Sequence, residues 1–105
     1  MASDIEESDW KLLRELSRVA LDRFCAQVLD EIAKISADDA RTNHQQYLDI
    51  YQLIHTRNKE LADAFDDLRR SRASFQLWQM RDLGLLTEAE VARFSEELQA
   101  RTTIT

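Results

Sequence analysis

His44, Tyr51, His55 and Arg57 are the side chains of this sequence whose types and spacing come nearest to a site. At about 100° per residue the first three fall on one strip of a helix, beside an apolar stripe, and Arg57 follows within a turn. Such a strip offers hydrogen bonds and rings to a small ligand in an apolar groove, and the four are the candidate ligand-binding residues. A metal is a different matter. The two histidines stand three turns apart, roughly 16 Å at 1.5 Å per residue, so one helix cannot bring both to one ion. The plainer expectation is polar residues half-buried at a helix interface. No metal and no cofactor is expected.

Other reactive groups have simpler readings. Glu60, Asp63 and Asp67 form a carboxylate ladder at helical spacing, but they point away from Leu61, Ala64 and Leu68 and read as a solvated face. Asp38 and Asp39 read as acids of a helix's first turn. Arg69, Arg70 and Arg72 form a basic run that Asp66, three and four residues before the first two, largely neutralises. Cys25 falls in mid-helix with no histidine on its own helix and no helix N-terminus to activate it. With one glycine, Gly84, neither a phosphate-binding loop nor a nucleophile elbow can be built. No catalytic residue is assigned, and no motif marks a known family.

The elements that position these groups follow from composition. The chain of 105 residues has no proline and one glycine, so the turns a multi-stranded sheet requires are lacking. It is 44% hydrophobic and 32% charged, too apolar for disorder and too interrupted for a membrane span. A single all-α domain over residues 1–105 is expected. The net charge of −6 disfavours nucleic acid and anionic membranes as partners. Four acids, Asp4, Glu6, Glu7 and Asp9, crowd the beginning, where a helix dipole favours them and a signal peptide would be basic. With the lone cysteine, this points to a cytoplasmic setting.

Periodicity predicts a first helix over about 4–35, capped at Ser3 or Ser8, with Leu13, Leu16, Ala20, Phe24, Val28, Ile32 and Ile35 on one face. Ser36 reads as the next cap after a short turn, and a second, antiparallel helix over about 38–83 carries Tyr47, Ile50, Ile54, Leu61, Ala64, Leu68 and Phe75. Its weakest stretch is His55–Glu60, where Arg57 replaces an apolar residue. Continuity with Arg57 snorkelling from the core's edge is expected, since neither Gly nor Pro breaks the run. Gly84 then stops the helix, and Thr87 with Glu90 forms a capping box for a third helix over about 88–101, followed by a frayed 102–105.

The segment 75–86 is apolar on several sides. Phe75, Leu77, Trp78, Met80 and Leu83 are therefore the candidate interface residues, a mixture that interfaces enrich. An antiparallel hairpin of two long helices with a short third leaves apolar surface uncovered, and pairing with a second copy into a bundle is the commonest remedy. The expected function is a small protein–protein interaction or regulatory module, a homodimer or a docking partner of another protein, and not an enzyme. The alternative is a small-ligand protein or enzyme with a site between helices around His44, Tyr51 and His55.

Overall fold

The computed structural model describes residues 5–104, of which α1 spans Glu7–Ser36, α2 Asn43–Phe65, α3 Ala73–Asp82, α4 Glu88–Val91 and α5 Glu96–Arg101. Helix accounts for 76% of the structure, and the described residues contain no strand. No helix among them is long and apolar enough to cross a membrane.

α1 is 30 residues long, about 45 Å at 1.5 Å per residue. Only its first half is core: Leu13, Leu16, Ala20 and Phe24 are buried, at steps of three and four. It begins at Glu7 behind Glu6 as N-cap, not at Ser8, and Ser3 lies outside the described residues. Ser36 is the last residue of α1 and not the cap of α2. That cap is Thr42, whose hydroxyl accepts from the Gln45 amide at 3.1 Å. Asp38 serves the turn between them, accepting from the Ala40 amide at 3.0 Å. Phe24 meets Phe65 edge-on, and Arg57 bonds Glu31, so numbers fall along one helix as they rise along the other and the pair is antiparallel.

The second helix does not run to residue 83. It is continuous through His55–Glu60, as expected, and stops at Phe65. Asp67 takes a left-handed conformation, φ 53°, and a single 3₁₀ turn over Arg70–Arg72 leads into α3. Propensity favours continuation, but packing favours the bend, because it folds Ala73, Leu77 and Met80 back into the core, where all three are fully buried. Short polar residues such as Asp tolerate the left-handed region better than most. The Asp66 carbonyl freed by the break accepts from Gln76 Nε2 at 2.9 Å and from Arg72 at 3.1 Å, so the bend is also bonded.

Gly84 ends α3 with φ 70°, and Leu85 N–H returns to the Met80 carbonyl at 3.0 Å. The Thr87–Glu90 capping box forms in both directions. The third helix nevertheless divides into α4 and α5. The buried Asp9 carboxylate accepts from the Ser95 amide at 2.9 Å and its hydroxyl at 2.6 Å, fixing an N-cap where the helix would have continued. Thr102 is not frayed: it is buried, donates to the Leu98 carbonyl at 2.9 Å and accepts from Arg81 at 2.8 Å.

Arginines tie the late segments to the early ones. Arg23 on α1 donates to the Leu85 carbonyl at 2.8 Å and grips Glu90 with both terminal nitrogens, at 2.7 and 3.0 Å. Arg70 donates twice to the Ile5 carbonyl and once to Glu7. The Arg23 pair, helped by the Thr87 amide, holds the Glu90 carboxyl at about 2. A depressed folded-state value makes this contribution complete above the ordinary carboxylate range, about 4.3, and removes it as pH falls toward the folded value. Thermal melts should therefore show wild type losing stability as pH drops from about 5 to about 2. Glu90→Gln should be less stable at neutral pH and lose less on acidification. Parallel acid profiles for the two proteins would contradict this.

Candidate functional site

Of the four predicted ligand residues, only Arg57 enters a concave site. His44, Tyr51 and His55 are exposed on α2, with the Tyr51 and His55 rings parallel and their centroids 6.4 Å apart. The strip exists, but it wraps no pocket. Arg57 behaves as an arginine at a core edge should. Its side chain is 20% exposed, its guanidinium lies 5.3 Å from the centre of the Phe24 ring, and it bonds Glu60 at 2.7 Å and, through Nε, Glu31 at 3.2 Å. The two carboxylates, Glu60 before Glu31, raise its pKa above the ordinary arginine value. With its donors so engaged, Arg57 is a tie between α1 and α2 and not a free anchor for a ligand.

The remaining reactive groups are also dispersed. Glu60 belongs to Arg57, Asp63 is exposed, and Asp67 lies beyond the helix, paired with Arg69, so the predicted carboxylate ladder is broken by the bend. Asp66 does not neutralise the arginine run as expected; Arg69 turns to Asp67 and Arg70 to Ile5 and Glu7. Cys25 is exposed. Among the described residues, no three His, Cys, Asp or Glu side chains are grouped where an ion could be held.

The predicted interface set divides in two. Leu77 and Met80 are fully buried within this chain, so neither is exposed to a partner, and Leu83 is partly buried against the same core. The bend at Asp66–Arg69 is the cause, since it turns the several-sided apolar segment inward. Phe75 and Trp78 stay at the surface, with the Arg72 guanidinium 5.8 Å from the Phe75 ring.

Further exposed apolar side chains, Leu29, Tyr47, Leu48, Tyr51 and Ile54, lie on the arm formed by the second half of α1 and most of α2. From Cys25 to Asp63 no side chain is buried. A groove of about 250 Å³ runs along one flank between the two helices. α1 lines it with Cys25, Val28, Leu29 and Ile32, and α2 with Ile54, Asn58 and Leu61; Phe24 and Arg57 form its floor. Leu29 is 64% exposed, and Tyr47 and Tyr51, toward the tip, are 67% and 64% exposed. Along α2 the residues Tyr47, Tyr51, Ile54, Asn58, Leu61 and Phe65 recur at alternating steps of four and three. Along α1, Leu21, Cys25, Val28, Ile32 and Ile35 do the same. That alternation is the spacing of a coiled-coil seam, and part of it already serves within the chain, since Val28, Leu61 and Phe65 pack against the core.

Compared with known proteins, the chain matches no family model, no curated protein and no solved structure.

Removing Arg57 tests its role as a tie. Arg57→Ala should cost about 1–3 kcal/mol in chemical denaturation, because it strips the stem from Phe24 and leaves Glu31 and Glu60 facing each other. Arg57→Met, which keeps the stem, should recover part of the loss. An Ala variant as stable as wild type would refute the assignment.

Proposed function

We propose that this chain is a protein–protein interaction module whose docking surface is the apolar flank of the helical arm, and that its occupant is a second copy of the chain. The observation that carries this reading is the absence of any buried side chain between Cys25 and Asp63. A pair of helices with nothing between them but half-buried residues gains little from burial, yet this pair is long, regular and apolar along one flank.

Two further features support a helical occupant of the same kind. The alternating four-and-three spacing on both helices suits knobs from facing helices, and Asn58, a single polar residue within the α2 seam, is the device by which coiled coils select register. The area also suits a dimer. Leu29, Tyr47, Tyr51 and Ile54 leave on the order of 500 Å² exposed per copy, and two such faces with their polar rims reach the ~1,200–2,000 Å² of a standard interface. The product is a four-helix bundle of two arms, with the short helices α3–α5 at its ends. An exposed thiol at Cys25 suits a reducing, cytoplasmic setting for such an assembly.

Sedimentation at several concentrations tests the reading. Wild type should dimerise at micromolar concentration. Tyr51→Ala should weaken the dimer about thirtyfold, as for a typical aromatic anchor, and Leu29→Asp should abolish it, both with helical content retained. Trp78→Ala should leave association unchanged, since Trp78 lies outside the arm. A wild-type protein that stays monomeric at high micromolar concentration, or one dissociated by Trp78→Ala alone, would overturn the proposal.

A further inference from the structure

Three adjacent cations stand out on the flank of α1 that continues the groove toward the body of the molecule. Lys11, Arg14 and Arg18 extend the alternating series of Leu21, Cys25, Val28 and Ile32 backward at steps of three and four. All three are exposed and line a shallow concavity with Glu15. None of them forms an ion pair among the described residues, and Glu15 turns to Arg93 at 3.5 Å. Arg14 also lies 5.7 Å from the centre of the Trp10 ring, and three neighbouring cations without an ion pair among the described residues are a departure in a chain of net charge −6.

The opposite charge gathers at the arm's tip. Asp38, Asp39 and Asp49 gather there with one arginine, Arg41, which forms ion pairs with Asp38 at 3.1 Å and Asp49 at 3.5 Å. Asp39 is exposed and without an ion pair among the described residues.

We infer that, in the arm-to-arm dimer, the acidic tip of each copy docks on the Lys11–Arg14–Arg18 strip of the other, which makes the two arms antiparallel. This rests on the dimer proposed above and adds its polarity and its charge code. The groove is centred between Cys25 and Ile32. α1 ends at Ser36, about eight residues and roughly 11 Å beyond that centre, with Asp39 in the turn that follows, and Arg18 lies about ten residues, roughly 15 Å, before it. A two-fold axis crossing α1 at the groove therefore carries the tip of one copy toward Arg18 of the other, with Arg14 one turn further. The same operation carries the tip tyrosines toward Leu21 and the arginines, where rings have an apolar and a cationic neighbour. The competing arrangement, with arms parallel, sets tip against tip and strip against strip. Like charges then face each other at both ends of the interface, so the charge pattern selects one polarity and rejects the other.

The test is a charge exchange on the full chain, read as the dissociation constant from sedimentation equilibrium at low salt. Arg14→Glu/Arg18→Glu and Asp38→Lys/Asp39→Lys should each weaken self-association about tenfold or more, with the effect shrinking at high salt. Asp39→Lys alone, which leaves the Asp38 turn intact, should act in the same direction and guards against a disturbed tip. An equimolar mixture of the two reversed proteins should recover wild-type affinity as a heterodimer, because every strip then meets a tip of opposite sign. A dimer indifferent to both reversals, or a mixture that fails to recover, would overturn the charge contact and leave the apolar pairing standing. A wild type that never dimerises would overturn both together.

Discussion

Two helices packed along a single line can bury only the facing stripe of each, and every other feature of this structure follows from how far a third layer extends along them. α3–α5 reach only the first half of α1 and the end of α2. There the helices contribute a closed core of Leu13, Leu16, Ala20, Phe24 and Ala64 with Leu77, Met80, Leu85, Phe94 and Leu98. Beyond Phe24 the same two helices continue without cover, and no residue up to Asp63 is buried. The elongated shape, 53 × 25 × 24 Å, is the outcome. The body closes a core of its own, and the arm does not.

The body is held by more than apolar contact, because its short helices bury too little to stay in place alone. Arg23, Arg70 and Arg81 each reach across the chain to backbone carbonyls at Leu85, Ile5 and Gln99, and Asp9 supplies the cap of α5. These are charge-assisted bonds, stronger than neutral ones and directional. They fix where α4 and α5 sit on α1, while the arm's two helices are tied by the Arg57 bond to Glu31, with Glu60 on Arg57's own helix sharing its guanidinium.

Much of this was legible in the sequence, and the rest failed for identifiable reasons. The helical class, the α1 stripe to Phe24, the uninterrupted helix through His55–Glu60, the Gly84 stop and the Thr87 capping box follow from local patterns that local physics decides. The break at Asp66–Arg69 does not, because no residue there is a breaker; the bend forms for the burial of Leu77 and Met80, a tertiary gain that periodicity cannot register. The bend also changes what 75–86 presents, since it buries Leu77 and Met80 of a segment that is apolar on several sides. Asp9 was accounted for as one more acid near a helix start, and its long-range partner Ser95 has no signal in sequence spacing. The four-and-three spacing along the arm is present in the sequence, where it reads only as the stripe that joins α1 to α2.

The claim that the arm is completed by a second arm is tested most directly by amide hydrogen exchange at protein concentrations below and above the association midpoint. The account predicts that amides of Val28–Lys34 and Ile50–Asn58 exchange more slowly as concentration rises, while those around Ser74–Gln79 in the body do not change. Protection of the arm that is independent of concentration, or a concentration-dependent change confined to Phe75 and Trp78, would contradict it.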